Sequence, residues 1–176
     1  MKPATELRQN IQRIDHVVFV YRSRERLDDV REKLNSVLGL DSEDWEEPIV
    51  IAPPQNCITQ LCWSAGLELI CPVPGREGEP WAGKHVLATR GEGLGMIAFG
   101  VEDLYAANRR ARSAGFPIVA SFGDPRRPDP PGEQAGQGLD TVLPESLVEV
   151  HGLLRESVIA PFDGTGLYFA QIEPKP

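Results

Sequence analysis

Residues 15–20 read DHVVFV, and residues 95–100 read GMIAFG. Laid on each other at an offset of 80, they pair His16 with Met96 and Phe19 with Phe99. Both are short apolar runs of the kind that forms half-buried strands. A helical pattern succeeds each of them. After the first comes SRERLDDVREKLNSVLGL, where Leu27, Val30, Leu34, Val37 and Leu38 recur at steps of three and four. That spacing predicts an amphipathic helix, with Ser23 as its N-cap and Gly39 as its stop. After the second comes DLYAANRRARSAGF, a helix ended by Gly115.

Three apolar segments complete the first half, at 49–52, 57–63 and 67–71. Pro53, Pro54 and Asn56, then Ser64, Ala65 and Gly66, supply the turns between them. PIVASF, LDTVLP and SLVEVHG complete the second half in the same order. Two further matches support a duplication. GLELI at 66–70 lies on LVEVH at 147–151 at an offset of 81, pairing Glu68 with Glu149. The helix–glycine junction Leu38-Gly39-Leu40 lies on Ala114-Gly115-Phe116 at an offset of 76.

Each half has an apolar face that cannot stay in water, so the two must pair. The expected fold is α+β: two tandem βαβββ modules forming a curved mixed sheet that encloses a cup-shaped cleft. The expected boundaries are an N-terminal arm at 1–12, a first module at 13–72, a connection at 73–91, a second module at 92–152 and a C-terminal extension at 153–176. Within the second module, residues 124–138 (DPRRPDPPGEQAGQG) are too rich in Pro and Gly for regular structure and suit a mobile or functional lid.

The chain has 176 residues and a net charge of −8, which argues against nucleic acid or an anionic membrane surface as the partner. No export signal and no apolar run of about 20 residues is present, so a cytoplasmic address is expected. Cys57, Cys62 and Cys71 are odd in number and lack CxxC spacing; they read as small apolar strand residues.

Strand alternation sorts the polar residues. His16 shares a face with Val18 and Val20, Glu68 with Ile70, Glu149 with Leu147 and His151, and Met96 with Leu94 and Ala98. A carboxylate inside GLELIC or SLVEVH sits on a solvated face or needs a buried partner. Imidazole and carboxylate converging in one cup suit a divalent cation.

IDHVVFV, the LGL closing the first helix, GLELICP, RGEGLGMIAFGVEDL and LVEVHG resemble the vicinal-oxygen-chelate superfamily. That group includes glyoxalase I, methylmalonyl-CoA epimerase, extradiol dioxygenases and the bleomycin-resistance proteins. The resemblance covers about residues 14–152, and residues 90–104 are most like the epimerase branch. It implies metal ligands on the first, fourth, fifth and eighth strands. Three of those positions carry His16, Glu68 and Glu149, and the remaining one, a histidine in the family, carries Met96. A thioether is a poor ligand for Fe(II) or Mn(II), so extradiol cleavage is disfavoured.

The resemblance therefore implies a divalent metal (Zn, Mn, Ni, Co or Fe) on an incomplete ligand set, or no cofactor. With a metal, the implied chemistry is stabilisation of an enolate while Glu68 or Glu149 moves a proton beside a carbonyl: an isomerase, epimerase or lyase acting on a small oxygenated substrate. Met96, His151 and Trp63 would line the substrate space. The alternative is a metal-free binding or resistance-type protein, with Trp45, Trp63 or Trp81 stacking on a flat ligand if they are not core residues. Arg126 and Arg127 read as an anion-recognising pair or a solvated one, and Glu46 and Glu47 as solvated loop charges or outlying acid–base candidates. A homodimer is implied by the resemblance, and GTGLYFAQIEP at 164–174 reads as an edge strand or dimer contact.

Overall fold

The computed structural model describes residues 11–127, 140–149, 151–162 and 165–173. The chain divides into an N-terminal unit, His16–Met96, and a C-terminal unit, Ile97–Pro176 with Met1–Asp15. The division falls inside the first strand, β1 (Ile11–Val20), and inside the fifth, β5 (Gly93–Val101).

In the N-terminal unit β1 leads into helix α1 (Arg24–Leu38). The sequence signals for its ends hold. Ser23 is extended and its side chain accepts from the Arg26 N–H, satisfying one of the first-turn donors. Gly39 takes the left-handed conformation at φ 72°, and its N–H bonds Asn35 O. Ser23→Ala is expected to cost about 1 kcal/mol, read as a lower urea midpoint; an unmoved midpoint would mean that the cap carries no weight.

Strand β2 (Ile49–Ile51) pairs antiparallel with β3 (Cys57–Cys62), and β3 pairs antiparallel with β4 (Leu67–Pro72). β4 then runs parallel to β1, with Val18 opposite Glu68. One face of this sheet packs on α1. Its buried cluster is Tyr21, Leu27, Trp45, Ile58, Cys62, Leu67, Leu69 and Cys71, with Val17, Phe19, Val30 and Leu34 against it. Every strand thus sends alternate residues to α1 and the others to the opposite face. The split of Leu67, Leu69 and Cys71 from Glu68 and Ile70 is the one expected.

The connection after β4 is more ordered than its Gly/Pro content implies. It carries helix α2 (Lys84–Arg90) and a buried Trp81. Asn56 Nδ2 donates to Glu79 Oε2 at 3.1 Å and to Pro80 O at 3.3 Å, and the Ala82 N–H bonds Gln55 O at 2.9 Å. These bonds tie the strap to the β2–β3 turn.

In the C-terminal unit β5 leads into helix α3 (Leu104–Ser113), capped by Asp103, whose side chain accepts from the Ala106 N–H. Strand β6 (Ile118–Gly123) comes after it, with β7 (Asp140–Val142) parallel to it. Helix α4 (Glu145–Val148) is next, then β8 (Leu153–Phe162) and β9 (Thr165–Glu173). β8 pairs antiparallel with both β6 and β9, and β9 neighbours β5. Helix α3 covers one face through two small clusters, Val101, Leu104 and Ala107 against Phe169, and Ala111, Ile118 and Ile159 against Phe116 and Leu167. A buried hydrogen bond from Asn108 Nδ2 to Ser157 Oγ, 2.9 Å long, joins α3 to β8.

The α+β class and the first strand–helix–strand–strand–strand order are as expected. The second half needs a correction. SLVEVHG is not a strand: Glu145–Val148 is one helical turn, with Glu149 as its exposed C-cap. Pro144 opens the turn, and its carbonyl accepts from the Leu147 and Val148 N–H groups. Leu147 and Val148 are both buried although adjacent, which a strand with one covered face does not allow. The closing strands lie instead at 153–162 and 165–173, in the stretch read as an extension. The strand beside β5, as β4 lies beside β1, is therefore β9. The pairing of Glu68 with Glu149 was a coincidence of letters, since one lies mid-strand and the other ends a helix.

No helix among the described residues is long and apolar enough to cross a membrane. The proposed arm is outside the described residues up to residue 10, and most of the Pro-rich loop, 128–139, is outside them as well.

Candidate functional site

The face of the N-terminal sheet opposite α1 gathers polar side chains on three neighbouring strands. His16 opens the row on β1 and is 2% exposed. Glu68 projects from β4, opposite Val18 on one side and Leu61 on the other. His16 Nε2 lies 3.3 Å from Glu68 Oε2. The second carboxylate oxygen, Oε1, accepts a 2.6 Å hydrogen bond from Thr59 Oγ1. Thr59 stands two residues before Leu61 on β3, so its hydroxyl reaches Glu68 diagonally across the hairpin.

Two more side chains complete the surroundings. The Trp63 ring meets His16 edge-on, with centroids 6.1 Å apart and planes at 87°. Cys57, on the face of β3 shared by Thr59, is buried, and burial together with the Glu68 charge pushes its thiol well above the ordinary range. It stays protonated and is no nucleophile. Glu68 differs from its neighbours: its side chain is 19% exposed, so a ligand can reach it. A carboxylate oriented by a hydroxyl and facing an imidazole can take and return a proton.

The other expected site residues are distributed otherwise. Met96 is buried on β5 and brings a thioether where the resemblance implies imidazole. Glu149 is exposed at the end of α4, in the C-terminal unit. His151 lies two residues beyond it in the same unit, half-buried; burial lowers its ring pKa, Asp15 opposes this and Arg126 adds to it. Trp45 lies in the core under α1, where its Nε1 donates to Asn35 Oδ1 at 2.7 Å. Trp81 is buried in the strap, and Trp63 is in ring contact with His16. Cys57, Cys62 and Cys71 are free and buried, as expected.

Arg126 is occupied. It donates through Nε to Asp124 Oδ1 at 2.9 Å and through Nη2 to Oδ2 at 2.6 Å, and Nη2 also reaches His151 O at 3.2 Å. Arg127 approaches Glu173 Oε2 at 3.5 Å on the surface. The bonds from Arg126 hold the Asp124 carboxyl below its usual range. A depressed folded-state pKa contributes stability above the unfolded value, about 3.9, and loses it as pH falls through the folded value. The gap in melting temperature between the parent and Asp124→Asn should thus be full above about pH 5 and close below about pH 4. A gap constant down to acid pH would dissociate this pair from stability.

The resemblance implies four metal donors. Among the described residues no group of three or more His, Cys, Asp or Glu side chains is placed to share a metal ion. Of the expected set, His16 and Glu68 are the two that lie together. Thr59 and Cys57 were missed as site residues. The available signal was parity, since residues 57, 59 and 61 share a face of a hairpin strand next to Glu68.

No family model matches the chain, and no curated protein matches it. Solved structures do. Methylmalonyl-CoA epimerase from Mycobacterium tuberculosis is 20% identical with a TM-score of 0.59, over 100% of this chain and 94% of that one. A methylmalonyl-CoA epimerase in complex with methylmalonyl-CoA and NH4+ is 20% identical with a TM-score of 0.56, over 93% and 99%. A hypothetical protein from Bacillus halodurans C-125 is 16% identical with a TM-score of 0.51, over 93% and 96%. Together with the element order above, these likenesses show that the chain shares its fold with the methylmalonyl-CoA epimerases.

Proposed function

We propose that this protein is an acid–base enzyme that moves a proton on the carbon beside a carbonyl, of the epimerase or isomerase type. Glu68 is the base and His16 its polar partner. The observation that carries the reading is the buried imidazole of His16, 3.3 Å from a carboxylate whose other oxygen is fixed by Thr59. In the reaction the C–H bond breaks, its electron pair passes into the enolate, and the proton rests on Glu68 before it returns to carbon. Trp63 supplies an apolar wall beside the pair. The structurally similar epimerases, in complexes with methylmalonyl-CoA and with 2-nitronate-propionyl-CoA, support an acyl thioester as the substrate class. The reading gives Glu149 no role, and no step runs through a metal.

The second reading is a ligand-binding protein of the same fold. It is favoured by one fact: both oxygens of Glu68 already have neighbours, Thr59 and His16. One experiment separates the two. The protein is incubated in D2O with methylmalonyl-CoA and related 2-substituted acyl thioesters, and loss of the α-proton is monitored by NMR. Exchange above the buffer rate is expected. A thioester that saturates the protein by calorimetry without any such exchange would favour the binder.

A further inference from the structure

We propose that Trp81 is the end wall of the acyl site and sets the length of the substrate branch that fits beside Glu68. This assignment rests on the reading of Glu68 as a base acting on an acyl thioester. Val18 stands opposite Glu68 and Val20 opposite Ile70. Val20 and Ile70 therefore share the Glu68 face, two residues or about 7 Å further along the strands. The cover becomes complete over that step. The Glu68 side chain is 19% exposed, whereas Ile70 is 3% and Val20 0% exposed. The strap supplies the cover. A Cβ on Gly83 would lie 2.2 and 2.5 Å from Trp81 Cζ3 and Cη2 and 2.6 Å from Val20 Cγ1, which puts the outer edge of the indole beside Val20. A Cβ on Gly95 would lie 2.6 Å from Val20 Cγ2 and 3.2 Å from Val86 Cγ1, so α2 closes on the other methyl.

The wall is anchored where the strands end. Val20 closes β1, and Cys57, the first residue of β3, stands opposite Pro72, the last of β4. Gln55 and Asn56, just before Cys57, hold the strap through the Ala82 N–H and through Glu79 and Pro80. Lys84 Nζ donates to Glu79 O at 3.0 Å and stiffens the turn around Trp81. A buried indole packed against buried neighbours has little room to yield. The long arm of a thioester therefore cannot run under the strap, and the group directed from the α-carbon toward Val20 is the short branch. A methyl or ethyl branch ends before the indole, and a butyl branch meets it. An apolar pocket separates substrates that differ by one methylene by about 10- to 200-fold.

The test uses the whole protein, Trp81→Phe and Trp81→Leu. α-Proton exchange in D2O and calorimetric binding are measured with methylmalonyl-, ethylmalonyl- and butylmalonyl-CoA. The parent should prefer the methyl over the butyl substrate by at least about 100-fold in kcat/KM. Trp81→Leu should raise the butyl-to-methyl ratio at least about tenfold, chiefly through a lower KM for the butyl substrate, and Trp81→Phe should raise it less. Because the ratio is taken within one protein, a reduced folded fraction does not imitate the effect. If Trp81→Leu does not fold, the smaller change in Trp81→Phe decides. A parent that handles the butyl substrate as well as the methyl one, or folded variants with the parental ratio, would overturn the wall and keep the enzyme reading. A length cut-off in binding that moves with Trp81, without exchange on any thioester, would keep the wall and sink the base. A protein that neither binds nor exchanges any of the three would overturn both.

Discussion

Glu68→Gln is expected to slow α-proton exchange about 10²- to 10⁴-fold, the usual contribution of a positioned base. The substitution keeps the volume and shape of the side chain and leaves a carbonyl oxygen to accept from Thr59 Oγ1. What it removes is the ability to take a proton at the atom facing His16. Since the side chain is partly exposed, the fold should survive with a change within about 1 kcal/mol. NMR exchange with the best thioester, beside a thermal melt, reads both quantities. A variant with a near-parental rate and a parental melt would show that another group removes the proton.

The second large effect is on stability. Gly83→Ala is expected to cost about 1–3 kcal/mol, or a fall of roughly 2–12 °C in Tm for a chain of this length. The backbone is not the reason, since Gly83 lies at φ −88° and ψ −4°, where alanine is comfortable. The reason is space. A Cβ there would stand 2.2 and 2.5 Å from two atoms of the Trp81 ring and 2.6 Å from Val20 Cγ1. Trp81 and Val20 are both buried, so neither side chain can swing clear. The companion Gly83→Ala/Trp81→Leu measures the clash, because shortening the neighbour should return part of the lost stability. An unchanged midpoint in the single variant would mean that the strap is loosely packed.

How far the sequence reaches is clearest in α1 and in the two halves of the repeat. Ser23, the three- and four-residue recurrence of Leu27, Val30 and Leu34, and Gly39 act within a few residues of each other. No tertiary partner is needed to read them. Parity on β1 and β4 is equally local, so the shared face of His16 and Val18, and of Glu68 and Ile70, was legible as well. That these two faces are one face depended on β1 lying parallel to β4, which only the assumed topology supplied. The 3.3 Å approach of His16 to Glu68 is then a matter of register.

Residues 145–149 show where this stops. A run such as SLVEV alternates well enough for a strand and is short enough for one helical turn. The outcome turned on Pro144 and on the burial of both Leu147 and Val148, and burial belongs to the fold as a whole. The same holds for Thr59, found beside Glu68 through the hairpin register of β3 and β4, and for Trp81, buried by the strap.

From its own letters the chain determined the α+β class, the order of its first module, the ends of α1 and the presence of one imidazole and one carboxylate on matching strand faces. Such features depend on neighbours a few residues away, or on period-two and period-3.6 patterns. Only the tertiary structure decided that β9 takes the place beside β5, that Glu149 ends a helix, and that Thr59 completes the His16–Glu68 pair. Those outcomes depend on contacts between residues distant in sequence, whose register no local pattern encodes.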